Sequence, residues 1–287
     1  MSHLSNLIEK LQKSDAQAAL VTSEVNQQYL TGFDFSDGYV LVTLKGSYLL
    51  TDFRYIEAAR AAVDQTEFEI VTPENGMGIA MCGLLEENGC KTVAFEDATL
   101  SYATMERFKK ALINMELVPG ASAIADGLRL YKDLDEIEKM KKAQAITDAA
   151  FAHILNFITP NMTEIEVALE LEFFMRRMGS EGVAFETIAV SGSASSLPHG
   201  VPRNVKLEKG FFTMDYGAKV DGYCSDMTRT VVLGKADEDM KKLYNTVLSA
   251  QLSAIEAIHE GAENAKVDKV ASDIIDNAGY KGCFRHG

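Results

Sequence analysis

The chain has 287 residues, of which 47% are hydrophobic and 24% charged, and this length predicts two domains rather than one. Its 28 basic residues are outnumbered by 42 acidic ones, and the net charge of −14 argues against nucleic-acid binding, which relies on Lys and Arg at phosphates. The first residues lack the apolar stretch of a signal peptide, and the most apolar segment, residues 38–50, is too short to cross a bilayer. We therefore expect a cytoplasmic protein without a nucleic-acid or membrane partner.

The first half of the chain alternates strand-like and helix-like segments, which is typical of an α/β layer domain. Residues 39–43 and 47–51 flank a short Leu-Lys-Gly turn and predict a β-hairpin. Small residues and glycines break the pattern near residues 120–127, so the first domain is predicted to cover residues 1–125. The other predicted elements are helices at 4–11, 55–63, 79–87 and 102–112 and strands at 18–22, 68–72 and 91–95.

The second domain, predicted for residues 126–287, begins with a long amphipathic helix that Pro160 ends. A capping box from Thr163 to Glu166 predicts the next helix, which runs to residue 178. From residue 185 the pattern changes to period two, and two further helices are predicted at 237–260 and 267–277. The domain is therefore expected to be α+β, with helices around an antiparallel sheet.

Four cysteines occur in the chain, and none of them forms a C-x-x-C pair. A chain of this length does not need disulfide bonds to be stable, so free thiols are expected. We expect Cys224 in particular to be a buried residue without a chemical role.

The dipeptide Asp221-Gly222 is a strong hairpin signal between two strands of alternating polarity. With these two residues as the loop, Asp215 faces Thr228 across the hairpin. Because side chains alternate between the faces of a strand, Asp226 shares a face with Thr228 and hence with Asp215. The two carboxylates are then diagonal neighbours, with Cα atoms about 7–8 Å apart.

Two converging carboxylates on a mostly buried sheet repel each other and are costly to desolvate. A shared proton in an acid–base dyad would relieve the repulsion, as would an ion pair with Arg229, although strand alternation points Arg229 away from Asp226. A pair of divalent metal ions about 3.5–4 Å apart, as in two-metal hydrolases, is a third solution. Both residues could also be solvated on an exposed hairpin, and the spacing alone leaves all four interpretations open.

Five motifs follow one another in the second half of the chain: Ser191-Gly192, Leu197-Pro-His-Gly200, Asp215-Tyr-Gly217, Gly222-Tyr223 and Ser225-Asp-Met-Thr-Arg-Thr230. Their order and spacing resemble those of the peptidases that share the pita-bread fold, namely Xaa-Pro aminopeptidases, prolidases and methionine aminopeptidases. The resemblance implies that Asp215 and Asp226 are metal ligands, one bridging two ions and the other chelating the second ion.

The same resemblance implies catalytic roles for two histidines. His199 matches the family histidine that lines the pocket and contacts the substrate or the transition state, and His286 matches a second histidine near the departing side of the substrate. The family's remaining ligands, one histidine and two glutamates, would lie beyond Gly287, so we expect this chain to be C-terminally incomplete and inactive by itself. Three other histidines are expected to be structural or solvated and to lack partners: His3, His153 and His259.

Two motifs in the first half, residues 26–33 and 51–55, resemble the creatinase-type N-terminal domain that precedes Xaa-Pro peptidases and prolidases. Methionine aminopeptidases lack this domain, so the resemblance narrows the subfamily. Phe53 departs from the pattern, because family members commonly have Gly there. The expected fold class is an α/β creatinase-like domain followed by an α+β pita-bread domain.

The function implied by this resemblance is metal-dependent hydrolysis of the bond before proline in a proline-containing peptide. The family habit implies two divalent ions, Mn²⁺ first and Co²⁺ or Zn²⁺ as alternatives, and a homodimer for the full-length protein. A creatinase-like amidinohydrolase and a non-catalytic peptide-binding pita-bread module are the competing functions, and the presence of both aspartates counts against each. Aminopeptidase and dipeptidase activity are equally compatible with the sequence.

Overall fold

The computed structural model describes residues 2–284, and the chain divides into two compact units. One unit comprises Met1–Ala143 together with the short segment Lys219–Cys224, and the other comprises Gln144–Ala218 and Ser225–Gly287. The domain boundary expected between residues 125 and 126 stays a prediction.

A six-stranded mixed sheet forms the centre of the first unit, in the order β4-β3-β2-β1-β5-β6. The predicted hairpin is confirmed, because the consecutive strands β2 and β3 pair in antiparallel orientation. Strand β1, by contrast, pairs in parallel with β5. The strands of this sheet are β1 (Ala18–Val21), β2 (Gly38–Thr43), β3 (Ser47–Thr51), β4 (Glu69–Val71), β5 (Thr92–Phe95) and β6 (Glu116–Pro119).

Helices cover both faces of this sheet, so its central strand is buried on both sides. In β1, Ala19 and Val21 belong to one apolar cluster, whereas Ala18 and Leu20 belong to the other. This double burial explains why β1 is a continuous apolar run rather than an alternating one. The helices of the first unit are α1 (His3–Gln12), α2 (Glu24–Thr31), α3 (Ile56–Ala62), α4 (Met77–Glu87), α5 (Tyr102–Ala111) and α6 (Ala121–Arg129).

Two of these helices, α2 and α6, were not predicted from the sequence. Helix α2 contains buried polar residues, Asn26 and Gln27, which interrupt the apolar period that predicts a helix. Small residues and Gly127 predicted a break in the regular pattern near residues 120–127. Helix α6 runs through this stretch, so the predicted break was wrong. The small residues Ala121 and Ala125 are buried, which lets the helix approach the sheet closely.

Long helices and an antiparallel sheet build the second unit, as predicted. Helix α8 begins with the predicted capping box, in which the side chains of Thr163 and Glu166 each accept a hydrogen bond from the other residue's backbone N–H. The helices after α6 are α7 (Leu134–Phe157), α8 (Glu164–Arg177), α9 (Glu238–Glu256) and α10 (Asn264–Ile275). Within residues 2–284, no helix is both long and apolar enough to span a membrane.

The sheet that matters for the site consists of three antiparallel strands in the order β12-β9-β8. One face of β9 packs into the core through Phe212, Met214 and Tyr216, which are fully buried. The other face carries Thr213 and Asp215, which are partly exposed. The remaining strands are β7 (Gly182–Val183), β8 (Ile188–Ser191), β9 (Gly210–Tyr216), β10 (Ala218–Val220), β11 (Tyr223–Cys224) and β12 (Met227–Leu233).

The four cysteines are free thiols, as predicted. Cys224 is exposed, so the expectation that it is buried was wrong, because the short strand β11 leaves this side chain in solvent. Cys90 is buried instead, next to β5 in the first unit.

Candidate active site

A tight turn at Asp221 and Gly222 sets the register of the hairpin that carries the two aspartates. Both residues have positive φ angles, 49° and 82°, as a type I′ turn requires. Gly222 adopts this conformation without strain, and Asp is among the few other residues that tolerate it. The strands on either side pair directly, with Val220 opposite Tyr223, so the predicted two-residue loop is confirmed.

Asp215 faces Thr228 across β9 and β12, as the sequence predicts. The Thr228 hydroxyl donates a hydrogen bond to Asp215 Oδ1 over 2.8 Å. One pair further along the same face, the hydroxyls of Thr213 and Thr230 lie 3.2 Å apart. This face of the sheet is therefore a row of oxygen-bearing side chains that lies opposite the apolar core face.

Asp226 immediately precedes β12, and strand alternation places it on the face that carries Thr228 and Asp215. Burial raises the pKa of Asp226, and the negative charge of Asp215 raises it further. The two carboxylates are thus close enough to repel each other. Arg229 does not neutralise them, because it faces Met214 on the opposite side and its guanidinium lies 5.8 Å from the ring centre of Phe151.

The backbone between the two aspartates is held in place by Gly217 and Ser225. A Cβ atom on Gly217 would overlap the carbonyl oxygen of Ser225, so only glycine permits this approach of the strands. The buried Ser225 hydroxyl accepts a hydrogen bond from the Ala218 N–H over 2.9 Å, and the Ser225 N–H donates to the Ala218 carbonyl over 2.9 Å. These contacts explain why one aspartate motif contains Gly217 and the other contains Ser225.

His199 lies on an exposed loop that follows β8 and a 3₁₀ turn at Gly192–Ser196. The next residue, Gly200, is buried, and a Cβ there would lie 3.0 Å from the methyl groups of Val190. Val190 faces Thr213, two residues before Asp215 in the same strand. The loop beside His199 therefore covers the face of the sheet that carries Asp215.

A buried carboxylate next to this loop was not identified from the sequence. Glu164, the first residue of α8, has a fully buried side chain and forms an ion pair of 2.6 Å with Arg203. Burial by itself raises the pKa of Glu164, but hydrogen bonds from Arg203 and Ser191 outweigh it and lower this pKa to about 2. Glu164 is thus ionised at neutral pH, and its partners lie far away in the sequence, so no local pattern pointed to it.

All three histidines expected to lack partners have them, and His259 Nδ1 lies 2.9 Å from the Glu260 carbonyl oxygen. His153 Nε2 lies 2.7 Å from the carboxylate of Glu170. His3 Nδ1 lies 2.7 Å from the Tyr29 carbonyl oxygen, and its Nε2 lies 3.6 Å and 3.7 Å from Asp133 and Glu136.

The cluster of His3, Asp133 and Glu136 is the one group of three possible metal ligands found within residues 2–284. Its carboxylates already have a structural task, because Asp133 and Glu136 each accept a hydrogen bond from the other's backbone N–H at the start of α7. These reciprocal bonds form the capping pattern of a helix N-terminus, here that of α7, and the His3 ring lies beside both carboxylates. His286, the second predicted catalytic histidine, lies outside the described residues.

Family comparisons agree with the two kinds of domain expected from the motifs. The sequence model of metallopeptidase family M24 matches residues 138–287, and the model of the creatinase/prolidase N-terminal domain matches residues 3–131. These matches confirm the predicted fold class, an α/β creatinase-like domain followed by an α+β pita-bread domain.

Individual relatives cover almost the whole chain. An uncharacterised peptidase of Bacillus subtilis, YqhT, is 38% identical over 93% of this chain and 75% of its own length, and an Xaa-Pro dipeptidase of Pyrococcus horikoshii is 32% identical over 99% and 79%. The solved structure of an Xaa-Pro dipeptidase from Bacillus anthracis superposes with a TM-score of 0.91 at 37% identity, over 96% of this chain and 77% of that one. An X-Pro aminopeptidase of Thermotoga maritima gives 0.89 at 31% identity, over 98% and 79%.

Proposed function

Because the chain belongs to metallopeptidase family M24 and is a peptidase, we propose that it hydrolyses the peptide bond that precedes proline, with divalent metal ions bound in part by Asp215 and Asp226. The names of three relatives support this substrate class, because two are called Xaa-Pro dipeptidases and one an X-Pro aminopeptidase. The observation that carries the metal role is the shared face of the two carboxylates, with Asp215 opposite Thr228 and Asp226 two residues before Thr228 in the chain.

The residues present fit a site for hard divalent cations. Carboxylate oxygens are the donors that Mn²⁺ and similar ions accept, and Mn²⁺ is the ion we propose, with Co²⁺ or Zn²⁺ as alternatives. Burial and the negative charge of Asp215 both raise the pKa of Asp226, which supports a site in which a cation compensates the two anions. A divalent cation between them would remove that repulsion.

Each side chain then has a distinct task in hydrolysis. The bound ions would activate a water molecule at neutral pH and polarise the scissile carbonyl group. Asp215 and Asp226 would hold the ions, and the Thr228 hydroxyl fixes the orientation of the Asp215 carboxylate. His199 donates a hydrogen bond to the oxyanion that develops on the substrate.

The test is a kinetic assay of the protein expressed from its complete open reading frame, with Mn²⁺ and matched Xaa-Pro and Xaa-Ala peptides. We expect hydrolysis of the Xaa-Pro peptides alone, and loss of this activity in Asp215→Asn and Asp226→Asn. Glu170→Gln, which changes a carboxylate in the ion pair with Arg177 on α8, serves as the control and should retain activity. Xaa-Pro hydrolysis that survives both aspartate substitutions would overturn the proposal.

Substrate length decides between the two activities that the sequence leaves open. A dipeptidase cleaves only the dipeptide, whereas an aminopeptidase also releases the first residue of longer peptides. The homodimer and the role of His286 stay predictions.

A further inference from the structure

The carboxylate of Glu164 is bonded to both ends of the loop that carries His199. Its Oε1 accepts hydrogen bonds from the backbone N–H and the hydroxyl of Ser191, at 2.8 Å and 2.9 Å, where the loop begins. Its Oε2 accepts from the backbone N–H and Nε of Arg203, at 3.0 Å and 2.8 Å, where the loop ends. Arg203 Nη2 completes the set with a bond of 2.6 Å to Oε1.

The surroundings of Glu164 hold it rigidly at this point. It is the first residue of α8, where the helix dipole favours a negative charge. The backbone N–H groups of Glu164 and Ile165 donate to the carbonyl oxygens of Val205 and Arg203, so the chain after the loop is bound to the helix itself. The Ser191 hydroxyl also accepts from the Glu208 N–H over 3.0 Å.

The middle of the loop between these two ends lies in solvent. Leu197, Pro198 and His199 are exposed, whereas Ala194 and Gly200 are buried. Releasing one end would let the loop sample more conformations, because the freed backbone residues regain conformational entropy. The position of His199 therefore depends on both anchors.

We propose that Glu164 is a positioning residue that acts through His199, by fixing both ends of the loop in which this histidine lies. The proposal rests on the proposed function, in which His199 contacts the substrate. Glu164 does not itself touch the reacting atoms, since its five hydrogen bonds occupy both oxygens. Arg203 is the partner through which the far end is held.

The experiment combines Glu164→Gln with His199→Ala in a double-mutant cycle on the protein from the complete open reading frame. All assays are run well below the unfolding temperature of each variant, and Glu164→Asp tests whether a shorter carboxylate rescues activity. We expect Glu164→Gln to lower kcat by roughly 10- to 100-fold, because a displacement of about 1 Å at a reacting group costs this much. The dissociation constant for Mn²⁺ should stay within about twofold, the range expected for an uncoupled site.

In the His199→Ala background, Glu164→Gln should lower kcat further by less than about twofold, because the residue through which it acts is gone. The control Glu170→Gln, the same change on the same helix, should leave kcat unchanged in both backgrounds. Equal losses from Glu164→Gln with and without His199 would overturn the proposal, as would a loss of Mn²⁺ affinity that accounts for the whole effect.

Hydrogen exchange separates this proposal from the proposed function. Amides of residues 192–202 should exchange faster in Glu164→Gln than in the wild type and in Glu170→Gln, whatever the substrate of the enzyme is. Unchanged exchange in this loop would refute the positioning role even if Xaa-Pro hydrolysis is confirmed. Conversely, faster exchange without any Xaa-Pro hydrolysis would show that the proposed function is wrong, although Glu164 does fix both ends of the loop.

Discussion

The buried ion pair of Glu164 predicts a pH-dependent contribution to stability that can be given a magnitude. The pKa of Glu164 lies at about 2 instead of its ordinary value of 4.5, because hydrogen bonds from Arg203 and Ser191 outweigh the effect of burial. A pKa change of one unit is worth about 1.4 kcal/mol. Lowering the pKa of Glu164 from 4.5 to about 2 therefore stabilises the folded state by on the order of 3 kcal/mol. The Glu164 side chain is fully buried and that of Arg203 is 40% exposed, so solvent screens this interaction only in part.

The direction of the pH dependence follows from the lowered pKa. A carboxyl whose pKa falls on folding stabilises the folded state fully above pH 4.5, and this stabilisation is lost as the pH falls towards 2. Glu164→Gln removes the charge at every pH, so the variant should be less stable than the wild type by about 3 kcal/mol at pH 7. This difference should shrink steadily below pH 4.5.

Urea unfolding followed by circular dichroism measures the difference, since the chain contains no tryptophan for fluorescence. Glu238→Gln is the control, because this carboxylate pairs with Lys241 on the surface and 88% of its side chain is exposed. Its effect should be within about 0.5 kcal/mol at every pH. A stability difference for Glu164→Gln that stays constant between pH 7 and pH 3 would refute the reasoning.

Three further changes test other parts of the structure. Gly217→Ala should destabilise the protein by about 2 kcal/mol or more in urea unfolding, because the added Cβ overlaps a backbone carbonyl oxygen; a neutral effect would contradict the hairpin geometry. Thr228→Val should lower activity or Mn²⁺ affinity roughly 10-fold, since Asp215 loses the hydrogen bond that orients it; unaltered kinetics and affinity would argue against this task. Iodoacetamide should modify the exposed Cys224 well before Cys90, whose burial raises its thiol pKa, and mass spectrometry of timed samples shows the order.

The arrangement of the two aspartates was predictable from the sequence because it depends on local rules. A two-residue Asp-Gly loop fixes the register, and strict alternation then decides which side chains share a face. The observed pairing of Asp215 with Thr228 follows from these rules alone. The same rules also placed Arg229 on the opposite face, where it contacts Phe151.

The buried carboxylates could not be predicted, because their partners are distant in the sequence. Glu164 bonds to Arg203, 39 positions away, and Glu96 bonds to Asn26, 70 positions away. Nothing in the residues next to either glutamate distinguishes it from an exposed surface charge, the usual state of this residue type. Helix α2 was missed for the same reason, since Asn26 is polar and yet buried.

Local sequence patterns also could not predict which residues the histidines contact. His3 lies in the first turn of α1, and its contacts with Tyr29 and Asp133 exist only once the first unit has folded. The loop histidine His199 was recognised through its motif, whereas the carboxylate that anchors the loop belongs to a helix that looked like an ordinary capped one. Motifs therefore identified the residues that carry the chemistry, and the folded structure was needed to find those that position them.

Anomalous diffraction at the manganese edge, from crystals of the complete protein grown with Mn²⁺, tests the central claim most directly. We predict anomalous peaks within coordination distance of the carboxylates of both Asp215 and Asp226, and their disappearance in crystals of the Asp226→Asn variant. Peaks confined to another group, such as the cluster of His3, Asp133 and Glu136, would contradict the account.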